Sequence, residues 1–159
     1  MSLLDAAASS AGPHVRRAAN SDVAEWIRLA GEVGDLFGAD IAADPAFEAG
    51  VHRNIERGTA FCVRVDGELA GGMFFHKDRI SWLVVARRHR RRGVGRALVS
   101  HATSTAIHEV RVTTFGEDHP HPDSAAARAL YTALGFERAE DDPGEAPDGS
   151  PRQVFVWRP

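Results

Sequence analysis

The sequence predicts one α/β domain with a mixed, mostly antiparallel sheet of about six to seven strands flanked by helices, and three stretches carry that prediction. Residues 61–76 form two runs of strand-forming residues joined by Asp66-Gly67, a pair typical of a tight hairpin turn. Residues 80–115 follow the order strand, helix, strand, and such a crossover requires a parallel pair of strands. Residues 136–158 contain two more strand-like runs around an acidic loop, which predicts a closing hairpin.

Two helices are predicted on the N-terminal side of this first hairpin. A short strand at residues 14–18 precedes the first helix, which is capped at residues 20–21 and carries apolar side chains at helical spacing. Residues 31–45 are broken by glycines and a proline, which favours a loop or a short helix. Residues 47–57 then form the second helix, which ends before a glycine.

The alternation of strands and helices continues to the end of the chain. A strand at residues 80–86 leads into a helix with four apolar side chains on one face, Val94, Leu98, Ala102 and Ala106. A strand at residues 110–115 follows. Asp123 or Ser124 then caps a last long helix, which ends before Gly135.

The composition fits a single soluble domain. The chain has 159 residues, of which 43% are hydrophobic, and its apolar runs are far shorter than the roughly 18 residues needed to span a bilayer. We predict a domain over residues 14–159 after a disordered, Ala/Ser-rich tail at residues 1–13. Cys62 is the only cysteine, so an internal disulfide is excluded, and its apolar neighbours predict a buried side chain. A cytoplasmic protein without membrane contact is therefore expected.

The most distinctive stretch is an arginine-rich turn, Arg90-Arg91-Arg92-Gly93-Val94-Gly95-Arg96, between the strand at residues 80–86 and the next helix. Its two glycines allow a tight turn and a close approach of the backbone to a ligand. Free N–H groups at a helix start, the helix dipole and the arginines together favour phosphate. The dinucleotide pattern G-x-G-x-x-G lacks its third glycine and no G-K-[ST] occurs, so neither common nucleotide motif is present.

This turn resembles the R/Q-x-x-G-x-G/A signature of the GNAT superfamily of acyl-coenzyme A N-acyltransferases, and residues 83–86 resemble the fourth strand of that family. Residues 124–136 are similar to its second motif, N-x-x-A-x-x-L-Y-x-x-x-G-F. The two motifs occur in the family's order and separation. The resemblance implies an N-acetyltransferase with acetyl-coenzyme A as acyl donor and the same α/β fold as predicted above.

The resemblance also implies which residues act. No metal site is expected. The residues expected to bind the coenzyme are Leu83, Val84, Val85, Arg90, Arg91, Arg92, Gly93, Val94, Gly95, Arg96, Ser124 and Tyr131. The backbone N–H of Val85 would stabilise the oxyanion that forms as an amine attacks the thioester, which is worth ~3 kcal/mol. Tyr131 would be the general acid that protonates the leaving thiolate, since a phenol pKa near ~10 would match a thiol pKa of roughly 9 to 10.

Three positions depart from the family pattern. Ser124 stands where the family has an asparagine that contacts the coenzyme, and a hydroxyl replaces only part of its bonding. Arg87 stands where a proline is common before the turn. Residues 79–82 lack the glutamate that deprotonates the amine in some members.

The missing glutamate leaves the general base to another residue. We predict His119, because it follows the strand at residues 110–115 and an imidazole titrates in the useful range. His76 and Asp78 are the next candidates. The competing interpretation is that His119-Pro120-His121-Pro122 is a stiff exposed loop, whose prolines disfavour metal binding by the two histidines.

The acceptor is expected to be a primary amine of a small molecule or peptide. Acidic residues at 137–148 and at 117–118 would attract a cationic amine, although a solvated acidic surface also explains them. Two other functions stay open: a non-catalytic acyl-coenzyme A sensor, and a nucleic-acid-binding regulator that uses residues 87–96 as a phosphate patch. The net charge of −3 and the pI of about 6.2 disfavour the regulator, so no nucleic-acid partner is expected, whereas a homodimer is left open.

Overall fold

The computed structural model describes residues 12–37, 40–146 and 149–159, so the predicted tail lies outside the described residues except for Gly12 and Pro13. The strands form one seven-stranded sheet in the order β1-β2-β3-β4-β5-β7-β6. They are β1 (Val15–Arg17), β2 (Ala60–Val65), β3 (Glu68–His76), β4 (Arg79–Val85), β5 (Val110–Phe115), β6 (Glu137–Ala139) and β7 (Arg152–Trp157). Among the strands of the described residues, only the β4–β5 pair is parallel, which confirms the predicted mixed, mostly antiparallel sheet.

In the part of the chain that the structure describes, four α-helices cover the two faces of this sheet. They are α1 (Val23–Glu32), α2 (Pro45–Arg57), α3 (Val94–Thr105) and α4 (Ser124–Ala133). Helices α1 and α2 bury a core that includes Trp26, Val51, Phe74 and Val84. Helices α3 and α4 bury the other core, which includes Met73, Ile80, Leu98 and Tyr131. Within the described part of the chain, no helix is long and apolar enough to cross a membrane.

Two adjacent glycines in β3 bring helices from both faces close to the sheet. A Cβ atom on Gly71 would lie 2.6 Å from Cγ1 of Val94 in α3, and one on Gly72 would lie 2.7 Å from the ring of Trp26 in α1. Real Cβ atoms do not approach so closely, so only glycine permits this packing. The hairpin before them turns as predicted, with Asp66 and Gly67 both at positive φ.

A buried carboxylate fastens α1 to the first strands. The predicted cap by residues 20–21 is wrong: Asp22 accepts the backbone N–H of Ala19 at 2.7 Å instead. Its carboxylate also accepts two bonds each from Arg16 (2.9 and 3.0 Å) and Arg64 (2.7 and 3.2 Å). Burial alone would raise the pKa of Asp22, but these hydrogen bonds lower it to about 2.

The lone cysteine belongs to the same core. Cys62 is fully buried, as predicted, and burial raises its pKa to about 11. A thiol with such a high pKa is protonated at neutral pH, so Cys62 is a buried core residue and not a nucleophile.

The parallel pairing of β4 with β5 is short, and it leaves part of β4 without a neighbour on that side. β4 pairs with β5 only at Arg79–Arg111 and Ile80–Val112, whereas β4 stays paired with β3 up to Val85. The carboxyl-terminal half of β4 therefore has an open edge that faces away from β3.

Candidate active site

The open edge of β4 presents the backbone of Leu83 and Val85. The N–H of Ala86 donates to the carbonyl of Ala70 at 2.8 Å, on the β3 side. Because backbone groups alternate along an antiparallel strand, Val84 also faces β3, and its carbonyl lies 3.0 Å from where a Cβ of Gly71 would stand. The backbone groups of Leu83 and Val85 consequently point to the open edge. Of the three residues of this strand that were predicted to bind the coenzyme, two thus offer N–H donors at the open edge.

The arginine-rich turn ends in an uncapped helix start directly after β4. Arg91 and Gly93 both have positive φ, at 62° and 79°, and this reverses the chain into α3. The first helical bond runs from the N–H of Ala97 to the carbonyl of Gly93 at 2.9 Å, which leaves the N–H groups of Val94, Gly95 and Arg96 without a helical acceptor. No side chain in the described part of the protein caps them, and the first turn holds no acidic residue. This end of α3 is suited to bind an anion.

The two glycines of the turn are required for different structural reasons. Gly93 supplies the positive φ, and a Cβ there would meet only Pro13, at 3.8 Å. Gly95 has an ordinary helical φ, but its Cβ would lie 3.1 Å from Cδ2 of Leu130 in α4. Gly95 therefore permits close packing of α3 against α4, a reason that the spacing of the motif alone does not reveal.

Four of the six arginines at residues 87–96 contact a carboxylate. Arg87 contacts Asp35 at 2.9 Å, Arg88 contacts Glu68 at 3.0 Å, Arg90 contacts Asp123 at 2.9 Å and Arg92 contacts Asp66 at 3.8 Å. Of the six arginines, only Arg91 and Arg96 have no carboxylate partner among the described residues, and both are exposed. Carboxylate contacts thus engage the other four arginines, and Arg91 and Arg96 carry the unpaired charge.

The start of α4 faces this turn. Asp123 occupies the N-cap position of α4, as one of the two predicted candidates, but its side chain makes no capping hydrogen bond. The Asp123 carboxylate is held by Arg90 instead, and this bond lowers its pKa. Ser124 is buried, and its Oγ lies 3.5 Å from Nη1 of Arg128. Arg90 therefore links the arginine-rich turn to Asp123, the residue directly before the second motif.

Tyr131 is buried in the core that α3 and α4 form against the sheet. Its ring packs against Phe136 at 5.3 Å and Phe155 at 6.2 Å between centroids. Burial raises the pKa of the phenol well above its ordinary value, which corrects the expected match to a thiol. The phenol keeps its proton throughout the physiological pH range, as a proton donor must.

Two histidines after β5 have fixed tautomers. Nδ1 of His119 accepts the backbone N–H of His121 at 3.1 Å, and Nδ1 of His121 accepts that of Asp123 at 3.1 Å. The proton of each neutral ring is thereby held on Nε2. Nε2 of His121 contacts Asp35 at 2.9 Å, whereas Nε2 of His119 is buried and has no hydrogen-bond partner among the described residues. To accept a proton from an amine, His119 would have to give up its bond to the backbone.

The other predicted bases lie elsewhere. His76 and Asp78 flank the turn between β3 and β4, at the opposite end of β4 from Val85 and roughly 20 Å away along the strand. Glu117 is paired with Arg138 at 2.6 Å. Among residues 12–37, 40–146 and 149–159, no three His, Cys, Asp or Glu side chains come together in a way that could hold a metal ion.

Asp35 is the residue of this region that sequence reasoning missed. Its carboxylate joins Arg87, which follows β4, to His121, which precedes α4. These partners are 52 and 86 positions away in the sequence, so no local pattern could have identified the contact.

Comparisons with known proteins agree with this architecture. An acetyltransferase of the GNAT family from Bacillus cereus has a similar structure, with a TM-score of 0.70 at 19% identity over 92% of this chain and 96% of that one. The PaiA N-acetyltransferase of Thermoplasma acidophilum, solved in complex with coenzyme A, has a TM-score of 0.65 at 16% identity over 93% and 99% of the two chains. The ribosomal-protein-S18-alanine N-acetyltransferase of Escherichia coli has a TM-score of 0.65 at 19% identity over 92% and 93%.

At such low identities these likenesses concern the fold, and no curated protein matches the chain. The sequence itself matches the profile of the acetyltransferase (GNAT) family over residues 22–136. That segment includes β4, the arginine-rich turn and α4. The chain therefore belongs to the GNAT family of acetyltransferases.

Proposed function

We propose that the protein transfers an acetyl group from acetyl-coenzyme A directly to a primary amine of a small molecule or peptide. The observation that carries this proposal is the open edge of β4, which runs into the uncapped start of α3. Backbone donors for a thioester arm are thereby followed by an anion site for the pyrophosphate, in the order in which acetyl-coenzyme A presents these groups. The coenzyme A complex of the Thermoplasma acidophilum protein supports the same ligand.

The residues divide the reaction between them. The amine nitrogen attacks the thioester carbonyl, and the N–H of Val85 stabilises the oxyanion that forms. The carbon–sulfur bond then breaks, and the leaving thiolate takes a proton from the phenol of Tyr131. The attacking nitrogen loses its extra proton to a base or to water. His119 is our candidate base, and its fixed tautomer means that the backbone bond at Nδ1 must open first.

The first test is calorimetric titration with acetyl-coenzyme A. We expect micromolar binding to the native protein and its loss in Gly93→Glu, which puts a carboxylate into the proposed phosphate site. Gly93→Gln is the matched control, because it places a side chain of similar size, but without the charge, at the same position of positive φ. The difference between the two variants isolates the electrostatic part.

Each outcome of this titration has a defined meaning. No binding to the folded native protein would contradict the acyltransferase proposal, and equal losses in the Glu and Gln variants would contradict an anion site at Gly93. Binding without release of coenzyme thiol over a broad panel of amines would favour the sensor. Salt-sensitive DNA binding would favour the regulator, although the pairing of four of the six arginines with carboxylates weighs against that function.

The unpaired arginines give a second prediction. Arg91→Gln and Arg96→Gln are each expected to weaken acetyl-coenzyme A binding about 10-fold, because a charge-assisted hydrogen bond to phosphate contributes about 1.5 kcal/mol. Arg88→Gln is the control, since Glu68 already neutralises that side chain, and its effect should stay within about 2-fold. The same titration measures all three, and equal losses would contradict the distinction between paired and unpaired arginines.

A further inference from the structure

A second cleft, separate from the coenzyme site, opens on the α3 face of the sheet. Its volume is about 380 Å³, in the range of small-ligand sites. β1, the start of β2, the end of β3 and the last turns of α3 surround it. It shares no lining residue with the open edge of β4 or the arginine-rich turn. His101, which lines it, follows Val94 by seven positions in α3, or roughly 10 Å along the helix axis.

The cleft combines an apolar wall with positive charge. Val15, Phe61 and Phe75 form the wall, and the ring of Phe61 packs on His101 at 4.6 Å between centroids. Arg17 and Lys77 are exposed at the rim, and neither has a carboxylate partner among the described residues. None of the lining residues is acidic.

His101 reports the same positive potential. Burial lowers its pKa, and the charge of Arg17 lowers it further. The third lining cation, Arg16, is engaged with Asp22 at 2.9 Å and is thus neutralised, which leaves Arg17 and Lys77 as the unmatched charges. The carboxyl end of α3 contributes about half a negative charge, which is less than these two side chains supply. An anion in this cleft would meet two cationic side chains that have no carboxylate partner among the described residues.

We propose that this cleft binds a small organic anion, in which a carboxylate or phosphate group lies between Arg17 and Lys77 and an apolar body lies against Phe61 and Val15. The cations set the sign of the ligand, and the aromatic wall requires an apolar portion beside the charge. Such a ligand is distinct from both the acyl donor and the amine acceptor of the proposed reaction.

The test is titration of the full-length ¹⁵N-labelled protein with phenylacetate and, separately, phenyl phosphate, followed by NMR. We expect shifts of the backbone amides of Thr59, His76 and Lys77, and a rise in the pKa of His101 when the anion is bound. Phenylacetamide is the neutral control and should cause at most a tenth of these shifts at equal concentration. The two anions distinguish a carboxylate site from a phosphate site.

Variants then test whether Arg17 and Lys77 bind the anion. Arg17→Gln and Lys77→Gln should each weaken binding of the better anion at least 5-fold, whereas Arg28→Gln, an exposed arginine of α1 away from the cleft, should not change it. The proposal is overturned if phenylacetamide shifts the same amides as strongly, or if neither anion moves them. Shifts confined to residues 91–96 would mean that the probes bind only the arginine-rich turn, and would overturn it as well.

Discussion

Replacing Tyr131 with phenylalanine is expected to lower kcat about 10²- to 10³-fold while acetyl-coenzyme A binding stays within about 2-fold of the native value. The loss comes from the removed proton donor. The ring contacts with Phe136 and Phe155 are kept in the variant, and no described residue hydrogen-bonds to the phenol, so its removal leaves no buried group unpaired. The fold should therefore be unaffected.

The measurement is release of coenzyme thiol with an amine that supports turnover, combined with calorimetry of coenzyme binding. Thr132→Val, an exposed neighbour on α4, is the control and should keep native kcat. Because burial raises the pKa of Tyr131 above its ordinary value, its proton should not be lost below about pH 10, and the alkaline side of the rate profile should not fall before that point. An unchanged kcat in Tyr131→Phe would reduce Tyr131 to a packing residue.

Locally encoded elements were predictable from the sequence. The strand at residues 110–115 has the bounds that the structure gives, and the turn at Asp66-Gly67 is where a pair with positive φ was expected. The helix at residues 45–57 begins two residues earlier than predicted, because Pro45 suits the first turn of a helix and the side chain of Asp44 accepts the N–H of Ala46. Such signals are local, so they are readable without the fold.

Features that depend on distant partners were not predictable. Arg90 finds Asp123 33 positions away, so the composition of the turn overstates its free charge. The pKa of Tyr131 depends on its burial, which the helical spacing of α4 indicates only in part. The point where β4 leaves β5 has no counterpart in the apolar pattern, because Leu83 and Val85 are as hydrophobic as a paired strand requires.

The largest expected effect on stability belongs to Asp22. Removing its carboxylate in Asp22→Ala should lower the free energy of unfolding by about 3 kcal/mol, since breaking a buried ion pair from one side leaves the partner charges unmatched. Arg16 and Arg64 are both partly exposed and Arg64 keeps Glu25 at 2.8 Å, which limits the loss to the lower end of the usual range. Urea unfolding at pH 7 measures this value.

The pH dependence of the same carboxylate gives a sharper test, because it separates charge from packing. The pKa of Asp22 is about 2 in the folded chain against 3.8 ordinarily, so the ionised form stabilises the fold above pH 4 to 5, and that stability is lost as the pH falls toward 2. The shift corresponds to about 2 kcal/mol of stability. In Asp22→Asn, the free energy of unfolding should not show this decrease between about pH 5 and pH 2. Asp78→Asn, in the exposed turn after β3, should follow the native curve. If Asp22→Asn also followed it, the acid sensitivity would have to arise from other carboxylates, and the bonds from Arg16 and Arg64 would contribute little net stability.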